Sequence, residues 1–241
     1  MRKIFTDFPL EARFELNGAD ARHVLVVLRH GVGDRIAVTD STGTTYACRI
    51  DSIAGHSAVL TVEERLSCRT QETGKVVLAA GLLKNDKFEW LIQKATELGV
   101  HTIIPVQMEH CVVKLNDNHR SGKFERWRRI AVEAAKQCGR DDVPIIREVM
   151  PFTELFQACG TSRFVIPYER ETTSLAEVCH EVQQGDVVLC IGPEGGFSPK
   201  EIAYAVSQAA WCRTVSLGKR ILRAETAALA SLSILMYERG F

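Results

Sequence analysis

The chain has 241 residues, 46% hydrophobic and 25% charged, with 30 Lys and Arg balancing 30 Asp and Glu. This is ordinary globular composition and excludes a disordered or collagen-like chain. No run of 18 apolar residues occurs, and Met1–Asp7 lacks the apolar segment of a secretory signal, so no membrane span is expected and the expected location is cytoplasmic.

Residues 1–70 read as short β-strands around one short helix. Asp20 is placed to cap a helix reaching Leu28. Gly31-Val32-Gly33-Asp34 turns into a strand over Arg35–Asp40, Ser41-Thr42-Gly43 into Thr44–Ile53, and Ala54-Gly55-His56 into Ser57–Val62. Turns about every ten residues, with β-branched runs between them, predict a small barrel or sandwich. The stretch 63–74 is polar, has no periodicity and is expected to be a linker.

From Lys75 apolar runs alternate with helical patterns. Val76–Leu83 is nearly continuous and apolar. Asn85–Leu98 carries Phe88, Leu91, Ile92, Ala95 and Leu98 at helical spacing and stops at Gly99. Thr102–Val106 reads as a strand. Ser121–Cys138 reads as a helix with the stripe Phe124, Trp127, Ile130, Ala131, Ala134 and Cys138, stopped by Gly139. Arg163–Pro167, Val187–Gly192 and Thr214–Leu217 are further short strands. Ser198-Pro199-Lys200-Glu201 is a capping box with proline in the first helical position, opening a helix to Ala209. A last helix runs from about Ala224 to Tyr237. Strands apolar on both faces, alternating with helices, predict a parallel sheet covered on both sides. The expected organisation is an N-terminal domain over 1–70 and an α/β domain over 75–241.

Charge is unevenly spread. Residues 114–147 carry nine basic against five acidic side chains, and residues 148–185 carry two against six. A neutral chain can thus offer one basic face to a polyanion; the alternative is a solvated helix. The eight cysteines form no CxxC pair and the seven histidines no HExxH, so buried thiols are expected and no metal site.

Three strand ends carry candidate chemistry. Val187–Ile191 leads into Gly192-Pro193-Glu194-Gly195-Gly196-Phe197-Ser198, where glycines let backbone approach a ligand. The pattern is neither GxGxxG nor GxxxxGK[ST], and Glu194 would repel a phosphate, so a neutral or cationic ligand fits better. Val215-Ser216-Leu217-Gly218-Lys219-Arg220-Ile221-Leu222-Arg223-Ala224-Glu225-Thr226-Ala227 places three basic residues within five positions and enters a helix directly. There Arg223 suits an anionic or oxygen-bearing group, while Glu225 has the alternative of serving the helix dipole. Arg163–Pro167 ends in Tyr168-Glu169. The three loops converge if their strands are adjacent.

Ile191–Ser198 followed by Leu217–Ala227 closely resembles the RsmE family, the 16S ribosomal RNA uridine N3-methyltransferases of the SPOUT (trefoil-knot) superfamily. The resemblance extends to Lys87–Gly99, to Trp127–Pro144 and to His23–Arg29, in the expected order along nearly the whole chain. Val26 stands where many members carry Arg, which leaves the N-terminal RNA contact one charge weaker.

The resemblance implies an N-terminal PUA-like RNA-binding barrel and a C-terminal knotted α/β domain. It implies a cleft for S-adenosylmethionine formed by Pro167, Tyr168, Glu169, Ile191, Gly192, Pro193, Glu194, Gly195, Leu217, Gly218, Ile221, Leu222, Thr226 and Ala227. Arg223 is expected to stabilise charge on the uracil oxygens, and Glu225 to accept the proton or orient Arg223. Arg22, Arg29, Lys123, Arg126, Arg129 and Arg140 are expected to hold the RNA backbone. A homodimer is implied, with the small-residue face Ala224, Ala227, Ala228 and Ser231 available to another helix. The alternatives are a sister SPOUT enzyme acting on another RNA, and a non-catalytic ribosome-assembly factor. The intact loops at 192–197 and 217–226 weigh against the second. A Rossmann-type methyltransferase is disfavoured because no glycine-rich loop follows Leu83.

Overall fold

The computed structural model describes residues 3–68, 74–84, 86–113 and 117–240. The chain divides into two compact units, Met1–Thr70 with Ala135–Asp142, and Gln71–Ala134 with Val143–Phe241. The addition of residues 135–142 to the first unit departs from the expectation of two uninterrupted segments. Its basis is polar: Lys3 Nζ donates to the Gly139 and Arg140 carbonyls and pairs with Asp141, which also accepts from Thr45 Oγ1 at 2.9 Å.

The first unit contains β1 (Lys3–Phe5), β2 (Arg13–Leu16), α1 (Gly18–Arg22) continuing into a π-helical turn at His23–Val27, β3 (Arg35–Thr39), β4 (Thr44–Ala54) and β5 (Ser57–Cys68). The sheet order is β1-β3-β4-β5-β2; β1 runs parallel to β3 and the other pairs are antiparallel. Ile4, Leu16, Val24, Ile36, Ile50 and Leu60 close over its core.

Residues 63–68, expected as linker, are strand; residues 69–73 lie outside the described residues. The polarity misleads for two reasons. Register shifts between Thr45 and Tyr46, Ala47 and Cys48, and Ile50 and Ser52 break the period-two alternation of the hairpin. Glu63 is outward-facing, answered by Arg35 at 2.7 Å and Arg49 at 2.9 Å.

The second unit contains β6 (Val76–Gly81), α2 (Lys87–Glu97), β7 (Thr102–Gln107), α3 (Asp117–Cys138, its last turn in the first unit), β8 (Ile145–Ile146), β9 (Met150–Pro151), α4 (Phe152–Cys159), β10 (Arg163–Pro167), α5 (Leu175–Cys179), β11 (Val187–Ile191), α6 (Pro199–Gln208), β12 (Cys212–Val215) and α7 (Ala224–Glu238). Asn85, the expected start of the second helix, lies outside the described residues. The elements β8, β9, α4 and α5 carry too few residues for a periodic signal and add to the expected set. Among the described residues the sheet has seven strands in the order β12-β10-β11-β6-β7-β8, with β9 also on β7, and every pairing is parallel. Val76–Ala80 and Val187–Ile191 are buried throughout, as a sheet covered on both faces requires.

The last helix, α7, packs against α2, β6 and β11. Ala224, Ala228, Ser231, Leu232 and Leu235 are buried there. The small-residue face expected to meet a second copy is therefore largely filled within the subunit, because small side chains let α7 lie close to its own sheet. The opposite side is mixed: Thr226 and Ser233 are exposed there together with Ile234 and Tyr237. No helix among the described residues is long and apolar enough to cross a membrane.

Candidate active site

Parallel pairing sends the C-terminal ends of β6, β10, β11 and β12 out of the same edge of the sheet, where open α/β sheets place their ligands. A cleft of about 530 Å³ opens there, between Pro167–Glu169, Ile191–Phe197 and Ser216–Ala224. The structure brings together every residue expected to bind cofactor except Thr226, which is exposed on α7 outside the lining.

The glycine loop is held by close approach and by directed hydrogen bonds. A Cβ on Gly81 would stand 2.7 Å from the Pro193 nitrogen, and one on Gly195 would stand 2.8 Å from His110 Cβ. The Glu194 carboxylate accepts from the Lys84 amide at 3.0 Å. His110 Nδ1 lies 3.0 Å from the Gly195 carbonyl and 3.2 Å from that of Gly196. Both partners are acceptors, so Nδ1 carries the proton. Gly196 turns at φ 70°, its amide donating to Pro193 O at 2.9 Å. The helix beyond has the expected capping box: Ser198 Oγ accepts from the Glu201 amide at 3.2 Å, and Glu201 Oε2 accepts from the Ser198 amide at 2.9 Å. Glu201 Oε1 also accepts from the Glu109 amide at 2.9 Å.

The second wall is a strap without regular structure between Val215 and Ala224. Its Ser216 amide donates to the Thr173 carbonyl at 2.7 Å, and Gly218 takes φ 109°. Ile221 is 88% exposed at the cleft, while Leu217 and Leu222 are half-buried. Lys219, Arg220 and Arg223 are exposed, and their side chains make no hydrogen bond or ion pair among the described residues. Arg223 also holds the N-cap position of α7.

Glu225 does not line this cleft. It lines a second, shallow hollow of about 480 Å³ with Asp86, Lys87 and Trp90. Its Oε1 lies 3.0 Å from Lys87 Nζ, and its Oε2 is buried with no hydrogen-bond partner. Burial alone raises the Glu225 pKa. Its own amide, the Lys87 hydrogen bond and the charges of Lys87 and Arg223 outweigh that and hold it below the ordinary carboxylate value. Of the two roles expected for Glu225, proton acceptor or orienter of Arg223, a carboxylate held ionised beside Lys87 and Arg223 suits the second.

Sequence reasoning missed Lys87, Gly196, Phe197, Ser216, Lys219, Arg220 and Ala224 as cleft lining. Six of these lie inside the two loop motifs already singled out, without having been named as binding residues. Lys87 comes from another segment, where it opens the Lys87–Gly99 stretch of the family resemblance and starts α2, just past the loop that follows β6.

The expected RNA contacts fare unevenly. Lys123 and Arg129 are exposed on α3. Arg126 pairs with Glu89 at 2.6 Å. Arg140 departs from expectation: its side chain is only 13% exposed and binds Asp142 through Nε at 3.1 Å and Nη2 at 2.9 Å, so it serves the fold of the first unit. Arg22 is exposed at the end of α1. Arg29 is also exposed and takes φ 57°, where the His30 amide closes on the Val24 carbonyl at 3.1 Å, a left-handed helix stop unusual for a side chain of this size. Val26 is likewise exposed.

Cys48, Cys111, Cys179 and Cys190 are buried, and Cys138 is exposed. Burial pushes the Cys48 thiol up to about 12 and those of Cys159 and Cys212 to about 11, which makes them poor nucleophiles. Among the described residues no group of three His, Cys, Asp or Glu side chains is placed to hold a metal ion.

Residues 70–236 match the RNA methyltransferase domain family, and residues 16–63 match the RNA methyltransferase PUA domain. The chain is 36% identical over 232 residues to the ribosomal RNA small subunit methyltransferase E of Bacillus subtilis, covering 93% of this chain and 90% of that protein. It belongs to the ribosomal RNA small subunit methyltransferase E family. The Synechocystis member is 32% identical over 94% of this chain and 75% of its own length. Among solved structures, the Neisseria gonorrhoeae enzyme E bound to S-adenosyl methionine superposes with a TM-score of 0.87 at 27% identity, covering 98% of this chain and 96% of that one. A putative methyltransferase from Legionella pneumophila with bound cofactor S-adenosyl methionine gives 0.85 at 28% identity, with the same coverage.

A pH dependence follows from the Glu225 anchor. Its pKa is lower in the folded than in the unfolded chain, so its stabilisation is present above the unfolded value and is lost as pH falls through the folded one. Glu225→Gln is therefore less stable than the wild type at pH 7, and the gap closes in acid. Urea midpoints of both proteins between pH 7 and pH 3 check this; a gap that stays constant contradicts it.

Proposed function

We propose that this protein is an S-adenosylmethionine-dependent methyltransferase acting on N3 of a uridine in the 16S RNA of the small ribosomal subunit. The observation that carries the reading is the convergence of three strand-end loops on one cleft with unpaired Arg223 at its edge, in a chain of this family. A ribosomal substrate goes with a cytoplasmic place of work.

The residues of the cleft fit the cofactor. Ile191, Leu217 and Leu222 offer apolar faces to a purine ring, and the turns at Gly196 and Gly218 bring bare backbone close enough to read its edge. Pro167, Tyr168, Glu169, Gly192, Pro193, Glu194, Gly195, Ile221 and Ala227 complete the proposed binding surface, with Thr226 beyond its rim. S-Adenosylmethionine supplies a sulfonium-borne methyl: the N3 electron pair forms the new bond to carbon, the carbon–sulfur pair returns to sulfur, and the N3 proton leaves to water.

What the chain contributes is alignment and charge. Fixed loops hold the two reactants in one geometry, which lowers the entropy lost on the way to reaction. Arg223 directs N–H donors at a uracil oxygen as negative charge develops. Glu225 orients it through charge, consistent with the lowered carboxylate pKa. Arg22, Arg29, Lys123 and Arg129 grip phosphates without reading sequence, with Arg126 in a weaker part behind its pair to Glu89. A target base in a stacked region is extruded to reach the cleft.

A second copy is the proposed cover for α7. An exposed apolar pair on a helix is a surface a partner can cover, and here Ile234 is 40% and Tyr237 75% exposed.

Transfer of labelled methyl to small subunits lacking the modification tests the function, with mapping of the label to one uridine N3. Arg223→Ala is expected to lower the rate constant about 10²–10³-fold, while calorimetry finds cofactor affinity little changed. Loss of affinity with normal turnover removes Arg223 from the chemistry. RNA binding is expected to weaken steeply with salt, by about 0.7–0.9 of a log unit per log unit of salt for each phosphate contact. Lys123→Ala with Arg129→Ala flattens that slope, and an unchanged slope excludes the α3 surface. Sedimentation is expected to find a dimer for the wild type and monomer for Ile234→Glu; a monomeric wild type rejects the second copy.

A further inference from the structure

We propose that Lys87 is a catalytic residue, donating through Nζ to one carbonyl oxygen of the target uracil while Arg223 serves the other; this rests on the methyltransferase reading above. Uracil N3 lies between two carbonyl groups. Loss of its proton spreads negative charge over two oxygens on opposite sides of the reacting nitrogen, and one guanidinium beside the ring does not reach both. A second cation is called for, and the cleft has one from a different element.

Lys87 is the first residue of α2 and lines the cleft together with Arg223. It also lines the hollow formed with Asp86, Trp90 and Glu225, and of the residues lining these two spaces only Lys87 borders both. It therefore stands between the space suited to the methyl donor and a neighbouring space open to an incoming base. Trp90, one turn further along α2, lines that hollow and is 43% exposed, an aromatic of the kind on which unstacked bases rest.

Lys87 is anchored for such a task. One carboxylate oxygen of Glu225 lies 3.0 Å from Nζ, while the ammonium has three donors, so capacity remains for a substrate oxygen. The Lys87 side chain is about one-third exposed, which weakens solvent screening without closing access. Glu225, whose charge acts on both Lys87 and Arg223, becomes a positioning residue for the two cations. No bond forms to Lys87 and its proton stays: its part is to stabilise the anion from which N3 reacts.

The experiment measures single-turnover methyl transfer to small subunits lacking the modification, beside calorimetric affinity for S-adenosylmethionine and filter-binding affinity for the subunit. Wild-type protein that labels no RNA defeats the methyltransferase reading itself. With an active wild type, Lys87→Ala is expected to lower the rate about 10²-fold or more, with cofactor affinity within about threefold. Added ethylammonium restores part of that rate, and Lys87→Arg keeps more than Lys87→Met. A role in structure alone responds to neither. The proposal is overturned if Lys87→Ala transfers at the wild-type rate, if its cofactor affinity falls in step with its rate, or if neither ethylammonium nor arginine recovers activity.

Discussion

Gly81 ends β6 where any side chain would stand within 3 Å of Pro193, and the cleft depends on that contact. β6 and β11 run side by side with Ala80 opposite Ile191, so the two chains leave the sheet together and their loops must share one edge. A bare backbone on the β6 side lets the Pro193 ring settle against it. The Lys84 amide, two residues beyond Leu82, then reaches the Glu194 carboxylate, and His110 from beyond β7 takes the carbonyls of Gly195 and Gly196. Each partner comes from a different strand end. The loop is therefore shaped by parallel pairing before any ligand arrives, and its free polar groups point where its neighbours leave room.

The opposite wall is built on another principle. From Ser216 to Arg223 the chain has neither strand nor helix, and its anchors are few. Buried parallel strands supply apolar rows but no charge, since an unpaired charge in such a sheet is too costly. The cations must sit on a segment outside the sheet and still close to it. The strap meets that need, entering from β12 and passing directly into α7, with Arg223 at the junction. Its position is fixed at both ends even though its middle is not regular.

What could be read from the residues follows the same division. The strands of the second unit, the capping box at Ser198 and the glycine loop were legible because each has a local signature: continuous apolar runs, Ser and Glu three apart, glycines after a strand. The resemblance then linked loops that periodicity left separate. The β5 extension through Cys68 was illegible because bulges shift the alternation on which strand recognition rests. Residues 135–142 were read with the second domain because helix periodicity continues unbroken through Ala134. Their allegiance is set by Lys3 and Thr45, more than 90 residues away in sequence. Arg140 was legible as basic but not as tied to Asp142. Lys87 opens a stretch of the resemblance, yet a lysine at a helix start has no assigned role until Glu225, 138 residues later, is seen beside it.

Net charge near zero conceals a strong local asymmetry at the cleft. Lys219, Arg220 and Arg223 lie within five residues, and none makes a side-chain hydrogen bond or ion pair among the described residues. Three like charges so close repel one another, and an exposed strap lets water and salt carry most of that repulsion. The arrangement is favourable only when an anion comes. Of the acids at or beside the cleft, Glu194 is tied to the Lys84 amide and Glu225 to Lys87, and only the charge of Glu225 is felt by the strap, at Arg223. The acids thus stabilise the walls while the cations remain available. A polyanion bound at the strap would relieve the repulsion within it, and the gain would be largest for a ligand that places phosphates over Lys219 and Arg220 while its base passes Arg223. Under the proposed function, binding and chemistry would be coupled by one electrostatic term, since the segment offering Lys219 and Arg220 to phosphates also carries Arg223.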